Sequence, residues 1–125
     1  MTDVVLDASA VLAVLQNEAG EDRVWAHLPG AIMSAVNAAE VVAKLVDGGA
    51  TAADAGESLD RLGVRLLPFE AVDVLPSADL RRASRDLSLG DRACLALADR
   101  LSVAAVTGDR LWADLEIGTE VQLIR

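Results

Sequence analysis

The sequence predicts an α/β sandwich, in which helices pack on both faces of a short parallel sheet. Short apolar runs alternate along the chain with longer segments of helical pattern, which is the order in which parallel sheets are built. The clearest signal is the stretch 88–112, where a capped and almost wholly apolar helix leads into an apolar strand and a Gly-Asp turn. A strand with no polar residue is typical of a sheet that is covered on both faces.

The predicted elements follow in order from the N-terminus. The run 4–6 is a strand that ends at Asp7, and a short apolar helix continues to Glu18. The other predicted strands are 31–33, 64–67, 103–106 and 121–124. The other predicted helices are 21–28, 34–46, 51–62, 72–87 with a kink or a new start at Pro76, and the helix that Ser88 caps, which runs to Leu101. Residues 115–119 form a connection.

Size and composition predict a single domain over residues 1–125. Apolar residues make up 53% of the chain and aromatic residues only 2%, so alanine, valine and leucine must form the core. No apolar run reaches the roughly 18 residues of a membrane span, and no secretory signal pattern precedes the first strand. The single cysteine, Cys94, cannot form an internal disulfide. We therefore expect a cytoplasmic protein, whose high apolar content suggests a partner that covers part of its surface.

The charge balance bears on the class of partner. A formal net charge of −9 would repel nucleic-acid phosphates if it were spread over the surface. Acidic residues gathered at one metal site would not have this effect. Arg81, Arg82 and Arg85 lie on one stretch of the chain, which hints at contact with phosphate.

Four acidic residues stand where they can meet at one edge of the sheet. Asp7 and Asp109 each follow a predicted strand directly, and the carboxyl ends of neighbouring parallel strands form a crevice. Asp91 lies at the start of a helix that can face the same edge. Glu40 lies in mid-helix among alanine and valine, where a solvated charge is not expected.

Such a group of carboxylates predicts a metal site. Four carboxylates in one cleft repel each other unless some are protonated or a cation lies among them. Oxygen ligands without histidine or thiolate favour Mg²⁺ or Mn²⁺. A site of this kind suits phosphodiester hydrolysis by a metal-activated water.

Each acid also has a purely structural explanation. Asp7 suits the N-cap of a helix, Asp91 the acidic position of a capping box, and Asp109 a turn. Glu40 has Lys44 four residues later as an ion-pair partner. The conjunction of all four favours the metal site.

Other reactive residue types give weaker signals. Asp99 is roughly 12 Å from Asp91 along a helix at 1.5 Å per residue, too far to share one ion. Asp114 fits an extension of the site and a solvated helix face equally well, while His27 fits a surface or packing position and Cys94 a small buried one. The sequence has no nucleophile elbow and no glycine-rich phosphate loop, so serine hydrolysis and P-loop chemistry are set aside.

Three segments resemble a known family. VVLDASAVLAVL, SAVNAAEVVAKL and SLGDRACLALADRLSVAAVTGDRLW are similar to the PIN-domain ribonucleases, in particular the VapC toxins of bacterial toxin–antitoxin pairs. The resemblance implies a PIN-like α/β/α sandwich and a Mg²⁺- or Mn²⁺-dependent endoribonuclease that acts on RNA. It also implies a cognate antitoxin that blocks the site, and a homodimer.

The resemblance covers nearly the whole chain and can be carried to individual positions. The acids that it implies to be catalytic and metal-binding are Asp7, Glu40, Asp91 and Asp109. Ser9 and Thr107 match small hydroxyl positions beside the site. Residues 48–87 match only in kind, so the choice of RNA is not implied.

A second hypothesis is a non-catalytic binding module, either a silent scaffold of the same fold or a phosphoacceptor receiver-like domain. Receivers also gather aspartates and Mg²⁺ at the carboxyl edge of a parallel sheet. They require a lysine beyond a late strand, however, and the only lysine here is Lys44 in an early helix.

Overall fold

A parallel sheet forms the centre of the molecule, as the sequence predicts. The computed structural model describes residues 3–125, and within them the sheet has five strands in the order β3-β2-β1-β4-β5, all parallel. The strands are β1 Val4–Leu6, β2 Ile32–Ser34, β3 Arg65–Leu67, β4 Ala104–Thr107 and β5 Val121–Leu123. The predicted fold class, an α/β sandwich, is confirmed.

Helices cover both faces of this sheet. They are α1 Ala8–Leu15, α2 Glu21–Trp25, α3 Ala35–Asp47, α4 Ala52–Asp60, α5 Val74–Asp79 and α6 Leu89–Leu101, with 3₁₀ turns at Ala71–Asp73, Leu80–Arg82 and Arg110–Asp114. Ser34 caps α3 by accepting the N–H of Val36, and Thr51 caps α4 by accepting that of Asp54. With these caps, both helices begin within one position of the predicted residue.

The core consists of two apolar layers, one on each face of the sheet. Val4 and Leu6 pack into the layer beneath α1 and α3, whereas Val5 between them packs into the layer beneath α6. Alternate residues of a strand point to opposite faces, so a three-residue apolar strand serves both layers. This explains why β1 contains no polar residue.

The predicted helix 72–87 is wrong. The chain forms a 3₁₀ turn, the short α5 and a second 3₁₀ turn that ends at Arg82, and residues 83–88 form no helix. At Ser84 the side-chain oxygen accepts the N–H of Asp86 at 3.1 Å, a local bond that competes with helix formation. Two predicted helix ends also move inward: α1 stops at Leu15 instead of Glu18 because Asn17 takes a left-handed φ of 54°, and α2 stops at Trp25.

The turn Arg110–Asp114 is helical, in agreement with the helix face inferred for Asp114, although its start was not predicted. Asp109 begins it by accepting the N–H of Leu111. Among the described helices, none has the length and apolar character needed to cross a bilayer.

Candidate active site

The candidate site lies where β1 and β4 pair at the centre of the sheet. Leu6 is in register with Val106, and the N–H of Asp7 donates to the carbonyl of Val106 at 2.9 Å. From β1 the chain leads to β2 on one side, while β4 lies on the other side. This is the switch point of an open parallel sheet, where its crevice forms. Asp7 and Thr107 therefore lie side by side at the carboxyl edge.

Asp7 is a buried carboxylate, with an exposed fraction of 5%. It occupies the N-cap position of α1, but its side chain makes no capping hydrogen bond. Its Oδ2 instead accepts the hydroxyls of Ser9 at 2.8 Å and Thr107 at 2.9 Å. The pKa of Asp7 is raised from 3.8 to about 6. Burial is the largest cause and the negative charge of Asp91 acts in the same direction, whereas the hydrogen bonds from the two hydroxyls lower the pKa.

The same two hydroxyls connect Asp7 to the turn that carries Asp109. Ser9 Oγ accepts the N–H of Gly108 at 2.9 Å, and Thr107 Oγ1 accepts the N–H of Asp109 at 3.0 Å. Asp109 in turn uses Oδ1 to accept the N–H of Leu111 at 3.0 Å. One oxygen of Asp109 therefore has the structural role in a turn that the sequence offered as an alternative.

Asp91 forms the predicted capping box at the start of α6. Its N–H donates to Ser88 Oγ at 3.1 Å, and its Oδ2 accepts the N–H of Ser88 at 2.9 Å. One oxygen of Asp91, Oδ2, therefore has the structural role in the capping box that the sequence offered as an alternative. The negative charge of Asp91 contributes to the raised pKa of Asp7.

Glu40 reaches the same region from α3. Its Oε1 accepts a hydrogen bond from Asn37 Nδ2 at 2.9 Å, and the same nitrogen donates to the carbonyl of Gly90 at 3.0 Å. Glu40 is exposed, so the expectation of an apolar setting is wrong: the apolar neighbours in sequence point to other faces of the helix. Between residues 3 and 125, no ion pair joins Glu40 to Lys44.

Two of the acids lie at the first turn of α6: Asp91 belongs to that turn, and the Glu40 carboxylate lies against Gly90. The strand β1, which ends before Asp7, also packs against α6. Burial raises the pKa of the Cys94 thiol in this helix well above its ordinary value, and the charges of Asp7, Asp91 and Glu40 raise it further. Within residues 3–125, no three acidic, histidine or cysteine side chains are close enough to hold an ion jointly as they stand. A shared metal site thus stays a prediction.

Comparison with known proteins identifies the family. The model of the PIN domain matches residues 4–117. The chain belongs to the PIN domain family. A receiver-like domain is therefore excluded, whereas a silent scaffold of the same fold is not. No curated protein matches the sequence significantly.

Solved structures share the fold of this PIN domain. A toxin–antitoxin complex from Klebsiella pneumoniae has a TM-score of 0.75 at 14% identity, with 98% of each chain covered. VapBC-1 from nontypeable Haemophilus influenzae has a TM-score of 0.73 at 18% identity, again with 98% of each chain covered. Mycobacterium tuberculosis VapC20, a sarcin–ricin loop cleaving toxin, has a TM-score of 0.71 at 20% identity, over 88% of this chain and 92% of that one.

Two residues of this PIN domain that contact Glu40 were not singled out from the sequence. Asn37 is fully buried and precedes Glu40 by three residues, a spacing that places both on one face of a helix. Gly90 precedes Asp91 and lies against the Glu40 carboxylate. A buried polar residue one turn before the acid was a signal available in the sequence, whereas the approach of Gly90 depends on the packing of α3 against α6.

The arginines noted from the sequence are exposed. Arg81, Arg82 and Arg85 line a shallow surface depression with Ser84, and Arg82 pairs with Asp79 at 3.5 Å. The helix α5, which precedes them, packs against α6, the helix that carries Asp91. They remain candidates for phosphate contact.

Proposed function

We propose that this PIN domain is a Mg²⁺- or Mn²⁺-dependent endoribonuclease and the toxin of a type II toxin–antitoxin pair. The observation that carries the proposal is the position of two acids: Asp7 is buried at the switch point of the sheet, and the Glu40 carboxylate lies against Gly90, the residue before Asp91. A ribonuclease needs electrostatic stabilisation for the phosphate charge that develops during cleavage, and carboxylates alone cannot supply it.

The residues present suit a hard divalent ion. Asp7, Glu40 and Asp91 supply carboxylate oxygens, Asp109 lies next to them through Thr107, and oxygen donors of this kind select Mg²⁺ or Mn²⁺. The buried Asp7, whose pKa is raised to about 6, is a carboxylate that a cation would stabilise. When bound, the ion would lower the pKa of a water and neutralise phosphate charge.

The side chains of the protein would hold and orient the reacting groups. Ser9 and Thr107 fix Oδ2 of Asp7, and the N–H of Ser88 fixes Oδ2 of Asp91, which leaves Oδ1 of each for the ion. Because these oxygens are held before substrate arrives, little reorganisation is needed at the moment of reaction.

An RNA substrate is compatible with the acidic net charge of this PIN domain. The acids that meet at the site would be neutralised locally by the ion, and the exposed Arg81, Arg82 and Arg85 offer cations for backbone phosphates. That VapC20, with the same fold, cleaves the sarcin–ricin loop supports a structured RNA as the first substrate to test.

Protein partners follow from the same proposal. Structures with this fold include toxin–antitoxin complexes, so we expect a cognate antitoxin and a homodimer, in the cytoplasm, with residues 1–125 acting as one domain. The exposed apolar side chains of Val72, Val74, Leu75 and Leu111 supply surface for such contacts.

The direct test is cleavage of a structured RNA by purified protein with Mg²⁺ or Mn²⁺, and with a chelator. We expect cleavage by the wild type and by Asp99→Asn, because Asp99 is an exposed acid at the far end of α6, and none by Asp7→Asn or Asp91→Asn. Cleavage retained by both site variants, with contaminating nuclease excluded, would contradict the proposal. Growth arrest on expression that Asp7→Asn removes, and that the protein of the neighbouring open reading frame relieves, would support the toxin role.

A further inference from the structure

We propose that Asn37 and Gly90 are positioning residues that hold the Glu40 carboxylate against the first turn of α6, beside Asp91. This inference rests on the proposed function, since it concerns how one of the proposed metal ligands reaches the site. It assigns a role to two residues that have no chemistry of their own in RNA cleavage.

The side-chain amide of Asn37 links two helices. Its Nδ2 donates to Oε1 of Glu40 at 2.9 Å and to the carbonyl of Gly90 at 3.0 Å. Both partners are acceptors, so the reversed amide would place its oxygen against two other oxygens, and the orientation is therefore determined. Asn37 thus ties the end of a side chain of α3 to the backbone of α6.

This amide is unusual for a residue that only fills the core. Asn37 has no exposed surface, and its Oδ1 has no hydrogen-bond partner within the described chain. A buried polar atom without a partner is unfavourable, and an apolar residue would avoid it. Glu40, whose carboxylate the amide holds, is an exposed residue, so burial in the core does not fix its side chain. The arrangement therefore serves the position of the carboxylate.

Gly90 provides the space that the carboxylate occupies. A Cβ built at Gly90 would lie 2.6 Å from Cδ and 2.7 Å from Oε2 of Glu40, closer than non-bonded atoms approach. Glycine is unfavourable within a helix relative to alanine, and α6 accepts it at the residue before Asp91. The atoms in the way are the end of a flexible side chain, so an alanine would displace the carboxylate without disturbing backbone.

The two contacts together set where Glu40 stands relative to Asp91. The hydrogen bond from Asn37 holds the carboxylate near the first turn of α6, and the absence of a side chain at Gly90 leaves the space that the carboxylate occupies. Because Asp91 is the next residue and is itself held by Ser88, the relative position of the two acids is determined by this contact between α3 and α6. Residues that orient metal ligands in this way commonly affect metal affinity by one to two orders of magnitude.

The test compares Gly90→Ala with a matched variant, Gly56→Ala. Gly56 also lies within a helix, α4, and a Cβ there meets nothing within 4 Å. We expect both variants to melt at or above the wild-type temperature, because each replaces a helical glycine by alanine. Calorimetric titration with Mn²⁺ in the absence of RNA should show roughly 10-fold or greater weakening for Gly90→Ala only.

A double-mutant cycle decides whether Gly90 acts through Glu40. In a Glu40→Ala background, adding Gly90→Ala should cause no further loss of Mn²⁺ affinity, because the displaced group is already gone. Asn37→Asp gives an independent variant of similar size, in which an acceptor faces Glu40 and the Gly90 carbonyl. It should also weaken Mn²⁺ binding in the wild-type background and not in Glu40→Ala.

The outcomes separate the two proposals. A wild-type protein that binds no Mn²⁺ overturns the proposed function and this inference with it. Wild-type Mn²⁺ affinity in Gly90→Ala and Asn37→Asp overturns the inference alone, and so does a further loss when either is added to Glu40→Ala. Selective loss that vanishes without Glu40 establishes the positioning role.

Discussion

The hydroxyl of Thr107 donates to Oδ2 of Asp7 at 2.9 Å, across the pair of strands at the centre of the sheet. The hydroxyl oxygen of Thr107, Oγ1, also accepts the N–H of Asp109 at 3.0 Å. One buried hydroxyl therefore joins the central carboxylate to the turn that carries the fourth acid. The stability of the site and its charge state both depend on it.

Thr107→Val should destabilise the protein by about 1–3 kcal/mol, because it leaves the part-buried N–H of Asp109 without its partner and removes one of the two hydroxyls that donate to the buried Asp7 carboxylate. It should also raise the pKa of Asp7 above about 6, since the lost hydrogen bond lowers that pKa. Thr107→Ser retains the hydroxyl and should restore most of both properties. Urea unfolding and NMR titration of Asp7 measure them, and equal results for valine and serine would contradict the role of the hydroxyl.

The metal-free protein should lose stability as the pH rises from about 4 to about 6. The pKa of Asp7 is about 6 in the folded protein against an ordinary 3.8, so in this range the folded state binds more protons than the unfolded chain. The stabilisation is complete below 3.8 and is lost as the pH rises through the folded value. Its full size is roughly 3 kcal/mol, measurable by urea unfolding at constant ionic strength.

Asp7→Asn should remove this pH dependence and raise the metal-free melting temperature at pH 8. Asparagine keeps an oxygen for the two hydroxyls and eliminates a buried charge. Added Mn²⁺ should stabilise the wild type and not the variant, because a ligand stabilises only the state that binds it. Asp99→Asn, at an exposed position, serves as the control and should keep the wild-type response to both pH and Mn²⁺.

Two ion pairs of the segment 70–82 should differ strongly in their contribution to stability. Arg100 Nε donates to Asp73 Oδ1 at 2.9 Å, and the Asp73 side chain is only 4% exposed. Asp79 pairs with Arg82 at 3.5 Å with side chains 70% and 84% exposed. Asp73→Ala should cost about 1–3 kcal/mol, because it removes the hydrogen bonds that the buried carboxylate accepts from Arg100 and from the N–H of Glu70.

Asp79→Ala should cost less than about 1 kcal/mol. Chemical unfolding of the two alanine variants side by side provides the comparison. Similar losses in both would show that the buried pair does not hold this segment against α6.

The order of strands and helices, and the positions of the acids at strand ends, could be predicted from local patterns. Ser88 and Asp91 form the predicted capping box. Asp7 follows β1 and Thr107 is the last residue of β4, and these two strands prove to be neighbours. These features depend on residues close in sequence, whose periodicity and capping chemistry act over one or two turns. The prediction of one helix over 72–87 missed that the helical turns end at Arg82. The bond from the Asp86 N–H to Ser84 Oγ is local, but the sequence pattern alone does not decide whether such a bond or a further helical turn forms.

The sequence alone determined the fold class and the place of Asp7 directly after the first strand of the sheet, because strand and helix periods dictate which way each residue points. Only the tertiary structure decided how Glu40 approaches Asp91. That approach requires the amide of Asn37 on α3 to lie beside Gly90 on α6, 53 residues later in the chain, and it requires position 90 to have no side chain. No local pattern encodes such a meeting, since it results from the packing of α3 against α6 and from the space that packing leaves.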